Sequence, residues 1–261
     1  MPELPEVEIY KRYFARHALR QPIARVRVLD ERVLGQVRKE KLGRALRGRA
    51  FTSVARHGKH LFAGFGAGWV HFHFGMSGDL EYYGNRAVEP RFARVIFDFT
   101  NGAHLAFEDM RLFGVVDLTS SPAAYIEQHS LGPDPLEPNF ALASFRRLLE
   151  HRRGAVKSLL MSQNILAGIG NLYADESLFQ AAIDPRRPVH RIHPDEARLL
   201  YASMRRILRE AIARRASGRK LPRNYLFDHR EEGRRCPSCA GTIRRTVVFG
   251  RTTYFCGTHQ R

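Results

Sequence analysis

Val7, Tyr10, Phe14 and Ala18 recur three or four residues apart, which lines up one stripe of a helix over 5–18. Pro5 suits its first turn, where a missing N–H costs nothing. From about residue 23 to 118 the period shortens to two. Val26 and Val28 alternate with Arg25 and Arg27, and Val70, Phe72 and Phe74 alternate with Trp69, His71 and His73. The runs 92–99 and 103–109 flank Thr100-Asn101-Gly102, a hairpin signal. Short strands in succession, with no helical pattern between them, predict an antiparallel sandwich. Pro and Gly then crowd the stretch 131–139 (LGPDPLEPN), which reads as an interdomain linker. Beyond it the helical period returns. Phe145, Leu148 and Leu149 mark one helix, 156–161 a second, and LYADESLFQAA begins a third after a turn at Gly168, Gly170 and Asn171. Leu199, Leu200, Met204, Ile207, Leu208 and Ile212 mark a long fourth whose other face is basic.

The pattern predicts an α+β chain. A helix and β-sandwich domain occupies 1–130, a linker 131–144, a helical domain 145–228, and a small C-terminal hairpin module 229–261. With 44% hydrophobic and 26% charged residues, a packed core is expected and disorder is not. No apolar run reaches the ~18 to 20 residues that a membrane helix needs. The opening MPELPEVEIY is too acidic and proline-rich for a signal peptide, so the cytoplasm is the expected compartment. The net charge of +17, from 43 Lys+Arg against 26 Asp+Glu, calls for a polyanionic partner, most simply nucleic acid. The excess is clustered. Residues 11–56 hold 14 basic and 3 acidic residues, and 198–251 hold 15 and 4. Two such regions are expected to line one groove.

Three features carry candidate chemistry. The three cysteines all lie in the tail. Cys236-Pro-Ser-Cys239 is followed, sixteen residues on, by Cys256-Gly-Thr-His259. Two C-x-x-[C/H] knuckles flanking a hairpin near Gly250 supply four N/S ligands for one structural zinc ion, with no open position for catalysis. A hairpin this small has almost no core, so the metal would supply its folding energy. Second, Gln163–Asn171 places Gly168 and Gly170 between two helices. Free N–H groups at the next helix start, with the Asn171 side chain, would suit a phosphate; a helical hairpin packed in a core would look the same. Third, Pro2-Glu3-Leu4-Pro5-Glu6 sets two carboxyls beside the terminus. Removal of Met1 frees a secondary amine on Pro2 that can attack a sugar C1′ and form an iminium, with an adjacent carboxyl moving protons. Acidic residues in a helix's first turn are also what its dipole favours.

These residues together resemble the formamidopyrimidine-DNA glycosylase / endonuclease VIII family from end to end. The match runs through PELPEVE, Gly58-Lys59, the HFGMSG of 73–78, the DMRLFG of 109–114, LGPDPL at 131–136, AGIGNLYADE at 167–176, and RTTYFC at 251–256. The resemblance implies that Pro2 is the nucleophile and Glu3 the acid/base that helps open the sugar ring. It makes Glu6 a supporting acid, and Lys59, Asn171 and Arg251 phosphate clamps around a flipped nucleotide. Lys157 falls at a lesion-pocket lysine. Met76, Arg111 and Phe113 match the residues that fill the gap left by the extruded base, which places the chain nearer the formamidopyrimidine branch.

Extrusion costs a few kcal/mol, and wedge residues together with duplex bending lower that cost. The chain departs from the family pattern in three places. His259 stands where the last zinc ligand is usually Cys, and Ser162 where Asp is common. The 217–233 stretch lacks the Gly-Gly-Ser/Thr run that leads into a lid in 8-oxoguanine-reading members, which argues against a strong 8-oxoguanine preference.

The implied activity is that of a base-excision repair glycosylase and AP lyase, acting as a monomer on damaged duplex DNA in a basic cleft, with the bacterial nucleoid. It would proceed through a Pro2 Schiff base and β,δ-elimination. A catalytically inactive lesion- or structure-specific DNA-binding protein is the alternative, disfavoured because binding needs none of Pro2, Glu3 and Glu6. A zinc-ribbon RNA binder comes third.

Overall fold

The alternating region does form strands, and they build two four-stranded antiparallel sheets. In chain order they are β1 (Ile23–Val28), β2 (Ser53–His57), β3 (His60–Gly64), β4 (Trp69–His73), β5 (Gly78–Gly84), β6 (Ala93–Phe99), β7 (Ala103–Asp109) and β8 (Val115–Thr119). The sheets run β1-β6-β7-β5 and β2-β3-β4-β8. The expected hairpin joins β6 to β7, and Gly102 at φ +83° takes the left-handed position of its turn. The computed structural model describes residues 1–84, 87–216 and 218–261. Ser217, the first residue of the 217–233 stretch, lies outside them.

Two compact units make up the chain, one of Met1–Pro2 with Glu6–Ser130, the other of Glu3–Pro5 with Leu131–Arg261. In the first unit both sheets turn their apolar faces to one core, with Val70 and Phe72 from one and Val95, Phe97 and Phe107 from the other. Helix α1 (Leu4–His17) adds Val7 and Phe14. Phe14 meets Phe51 edge-on at 5.0 Å, and Phe51 meets Phe97 at 5.6 Å. Each fully buried Phe contributes about 2–3 kcal/mol of transfer free energy.

Two helices in this unit escaped the periodicity. In α2 (Lys39–Leu46) only Leu42 and Leu46 are buried, too few to mark a stripe. In α3 (Pro122–Gln128), Ser121 caps the N-terminus by accepting from the Ala124 N–H at 3.0 Å, with Pro122 next. That Ser-Pro start was readable in the sequence.

The second unit is helical, with α4 (Leu142–Leu149), α5 (Val156–Met161), α6 (Asn171–Gln180) and α7 (Pro194–Ala216), and it ends in the hairpin β9 (Arg244–Val248) and β10 (Arg251–Phe255). Leu200, Met204, Ile207, Leu208 and Ala211 of α7 are buried at helical spacing. Asp195 and Glu196 open that helix, and Arg214 and Arg215 close it, both with the dipole. Helix α6 has Tyr173 through Phe179 buried without a break, so it is the centre of the unit. Phe249 and Gly250 join β9 to β10 with φ of +52° and +64°, the two-residue turn that hairpin twist favours.

Candidate active site and wedge loops

The N-terminal segment and the glycine turn meet within the second unit. Gly170 is the N-cap of α6 and offers no side chain. The carboxylate of Glu3, 3% exposed, takes that place. It accepts from the Gly170 N–H at 2.7 Å, Leu172 at 2.9 Å and Tyr173 at 3.3 Å. A Cβ on Gly170 would stand 2.3 Å from Glu3 Cδ, so only glycine admits the carboxylate. Gly168, at φ +102°, accepts the Leu4 N–H at 3.1 Å through its carbonyl. Gln163 staples the turn, its amide donating to the carbonyls of Met161 and Ile169 and accepting from Gly168 N–H. The N–H groups expected to hold a phosphate are therefore largely taken by Glu3, whose charge satisfies both the orphan donors and the dipole of α6.

Lys157 also departs from expectation. It was expected at a lesion pocket, and it is fully buried. Its ammonium donates to Asn171 Oδ1 at 2.7 Å and Thr253 Oγ1 at 2.6 Å, and pairs with Asp175 Oδ1 at 2.6 Å. Two of its donors are thus hydrogen-bonded, and Asp175 balances its charge. Burial pulls its pKa down, and the charge of Asp175 opposes that shift. Asp175 Oδ2 further accepts from Arg230 at 2.6 Å and the Tyr254 N–H at 3.1 Å. Lys157 therefore holds Asn171, whose Nδ2 donates to Thr252 O at 3.0 Å. The network ties the start of α6 to β10, where Arg251 is exposed.

In the first unit the structure brings Met76, Arg111 and Phe113 together. Met76 is 40% exposed, Phe113 57% and the neighbouring Met110 56%. The Arg111 guanidinium lies over the Phe113 ring at 5.3 Å. Beneath them Asp109, fully buried, accepts from Ser77 Oγ at 2.5 Å, Arg111 N–H at 3.1 Å and Gly114 N–H at 2.6 Å. A Cβ on Gly75 would sit 2.4 Å from the Phe113 carbonyl carbon, so the two loops touch backbone to backbone. Leu112 adopts φ +59°, a left-handed conformation that a branched residue takes at some cost. From α1, Tyr10 donates to Gly78 O at 3.3 Å and packs on Phe74 at 4.4 Å, fixing the 74–78 turn.

Glu6 is half-buried in the first turn of α1, and Pro2 is half-buried ahead of it. Lys59 is 9% exposed and follows Gly58 in the two-residue β2–β3 turn. Burial holds His73 down at about 4, and the charge of Lys59 adds to the shift. The Gly75 N–H donates to His73 Nδ1 at 3.2 Å, which leaves Nε2 as the donor of a neutral ring. Asp109, His73, Gln163 and Asp175 lie inside motifs of the sequence, but only the tertiary fold shows what they hold.

In the tail, the sulfurs of Cys236, Cys239 and Cys256 lie within 4.8 Å of one another, and those of Cys239 and Cys256 are 3.6 Å apart. The N–H groups of Ser238 and Gly241 donate to Cys236 and Cys239 sulfurs at 3.4 and 3.3 Å, which turns the knuckle inward. Three gathered thiols with oriented amides can hold a metal ion. His259 is outside that set. Its Nε2 donates to Phe179 O at 2.9 Å. Among the described residues no helix is long and apolar enough to cross a membrane.

A sandwich with an N-terminal helix, a glycine-turn helical unit capped by an N-terminal carboxylate, and a three-thiol hairpin define the class of helix-two-turn-helix proteins with a C-terminal finger. The formamidopyrimidine-DNA glycosylase N-terminal domain matches residues 1–116, and the formamidopyrimidine-DNA glycosylase H2TH domain matches 131–222. The formamidopyrimidine-DNA glycosylase of Moorella thermoacetica is 36% identical over 260 residues, covering 94% of each chain. That of Symbiobacterium thermophilum is 33% identical, covering 98% of this chain and 88% of its own. Among solved structures, Lactococcus lactis formamidopyrimidine-DNA glycosylase non-covalently bound to AP-site DNA aligns over 99% of both chains at TM-score 0.88 and 26% identity. MutM in complex with carbocyclic 8-oxo-G DNA aligns over 100% of both at 0.91 and 28%. The chain belongs to the formamidopyrimidine-DNA glycosylase family.

Proposed function

We propose that this chain is a base-excision repair enzyme that removes oxidised or ring-opened bases from duplex DNA and then cuts the strand, with Pro2 as nucleophile. The observation that carries the reading is the anchoring of Glu3 by three backbone N–H groups, which fixes a carboxyl next to the reacting residue. Once Met1 is removed, the Pro2 amine attacks C1′ of the extruded nucleotide. The glycosidic bond breaks and the base leaves with a proton, while Glu3 serves proton transfer at the opening sugar ring. The resulting iminium acidifies the 2′ position. Loss of a proton there expels the 3′ phosphate, a second elimination expels the 5′ phosphate, and water frees the sugar remnant from Pro2. Met76, Arg111 and Phe113 fill the vacated stack. Arg251, Asn171 and Lys59 hold flanking phosphates, and Glu6 supports the acidic start of α1.

The stretch after α7 supports a preference for ring-opened bases and abasic sites over 8-oxoguanine. Gly218 N–H and Arg219 N–H close α7 on the carbonyls of Arg215 and Arg214, a glycine stop at φ +68°. Tyr225 is then buried and Phe227 N–H donates to Glu176 at 3.1 Å, so this segment is packed onto the helical core. The three thiols, with His259 as fourth ligand, would hold one structural zinc ion that supplies folding energy to the hairpin. With Nε2 on a backbone carbonyl, Nδ1 is the nitrogen left for the metal. Elemental analysis should give one zinc per chain, lost on Cys256→Ser; a metal-free wild type would overturn the assignment.

Borohydride trapping on a duplex with one abasic site tests the mechanism, using protein whose mass confirms that it begins at Pro2. Wild type should form a covalent adduct, and Pro2→Gly should lose it or form far less. A protein that grips this DNA but is never trapped would be the inactive lesion binder instead.

A further inference from the structure

The basic run 11–56 holds a feature that base excision does not use. Among the described residues strand β1 is the edge of its sheet, with β6 as its one neighbouring strand. Leu29 N–H donates to Arg94 O on the β6 side. Alternation along an antiparallel ladder then turns the backbone groups of Val28 and Val26 the other way, to the open edge. At one end that edge is closed, since Ile23 N–H donates to Arg49 O at 2.7 Å and Gly48 N–H to Ile23 O at 2.8 Å. Beyond Ile23 a groove of about 860 Å³ opens between β1 and one face of α2.

Ala24, Val26 and Val28 line this groove on one side, together with Arg25, which pairs with Asp98 at 2.6 Å. Lys39, Gly43, Arg44 and Arg47 line it on the other, with Glu40 the one acidic lining residue. Among the described residues Arg44 and Arg47 have no ion-pair partner, whereas Lys39 pairs with Glu31 at 2.7 Å. A Cβ on Gly43 would meet nothing within 4 Å, so the wall there is open. The groove therefore offers strand-pairing groups, an apolar wall and a cationic rim.

We propose that this groove binds an extended acidic peptide segment of a partner protein, added as a strand along β1. Alternate side chains of an added strand face opposite ways. One set rests on Val26 and Val28, and carboxylates on the other meet Arg44 and Arg47. A nucleic-acid strand fits less well, because no aromatic ring lines the groove to stack a base. The rim charges also keep a second copy of this basic edge from pairing with it.

The test uses the full chain and a fluorescein-labelled peptide of about ten alternating Glu and Val residues, a length set by strand dimensions. Anisotropy should show binding, and amide exchange should show Val26 and Val28 becoming protected. Gly43→Leu fills the groove at a position with free space and better helix propensity, and Arg44→Glu with Arg47→Glu inverts the rim. Each should weaken peptide binding at least tenfold, and the charge-neutral Gly43→Leu should leave duplex binding and strand cutting unchanged. No binding, binding indifferent to Gly43→Leu, displacement of the peptide by duplex DNA, or protection of the same amides by oligothymidylate would each overturn the proposal.

Discussion

Asp109 in the sandwich unit and Glu3 in the helical unit hold two turns by the same device. Each is a buried carboxylate that accepts backbone N–H groups of a glycine-containing loop. Each sits against a glycine whose Cβ would collide with it, at 2.9 Å from Asp109 Oδ2 for Gly114 and 2.3 Å from Glu3 Cδ for Gly170. They differ in what the turn delivers. Over Asp109 the two loops expose Met76, Met110 and Phe113, apolar bulk that can enter a gap. Around Glu3 the neighbours are buried and charged, with Lys157 and Asp175 paired at 2.6 Å. Identical anchoring therefore serves shape in one place and charge in the other, and substitutions should separate the two roles.

The largest effect is expected for Glu3→Gln. The amide keeps the size but has one acceptor oxygen, and its NH₂ faces donors. At least one of the three N–H groups loses its partner, at about 1–3 kcal/mol of stability. Base excision should fall by roughly 10²–10⁴-fold, the usual worth of a positioned proton-transfer group, while duplex affinity changes far less. Single-turnover excision alongside a binding isotherm separates the two. Excision near the wild-type rate would reduce Glu3 to a helix cap and erase the distinction from Asp109.

Asp109→Asn should reverse the balance. Asn keeps one acceptor for three donors, so the 110–114 loop loosens and stability falls by about 2–3 kcal/mol. Excision of a paired, damaged base should drop about tenfold, since extrusion needs the wedge, and cleavage at a preformed abasic site should drop less. Equal losses on both substrates would mean that Asp109 also serves the chemistry.

The features that were legible from the sequence are the local ones. The hairpin at 100–102, the three tail thiols and the glycine turn are short-range patterns, and so is the stripe of α7. The anchors were not legible, because their partners are remote. Glu3 bonds a turn about 167 residues away, and nothing near Lys157 announces that a lysine will be fully buried; Lys is buried only when paired, and its partner Asp175 is on another helix. Helix α2 was hidden by burying only two residues in eight. The three thiols were readable by spacing, whereas the commitment of His259 Nε2 to Phe179 needed the tertiary fold.

The smallest effect concerns pH, where the two units should respond in opposite directions. In the sandwich unit His71, 1% exposed on β4, stacks on Tyr125 of α3 at 4.1 Å, and its Nε2 lies 2.9 Å from His60 Nδ1. Burial, with the charges of His73 and His129, holds it down at about 3 against an ordinary 6.5. Below pH 6.5 the unfolded chain takes up a proton that the fold refuses. This part of the stability is therefore present above 6.5 and is lost as pH falls toward 3. In the helical unit burial raises Glu176 to about 7 from 4.5, against the bonds from Gln180 and Phe227. There the fold keeps a proton that the unfolded chain releases, so the contribution is present below 4.5 and is lost as pH rises through 7. Each effect is on the order of 2 kcal/mol between pH 5 and 7. Native-state amide exchange, corrected for intrinsic rates, should show β3 and β4 opening more readily at pH 5 and α6 more readily at pH 7. His71→Phe should flatten the first trend alone and Glu176→Gln the second alone. A single trend shared by both units, unmoved by either substitution, would show that neither buried group governs the pH response of its own unit.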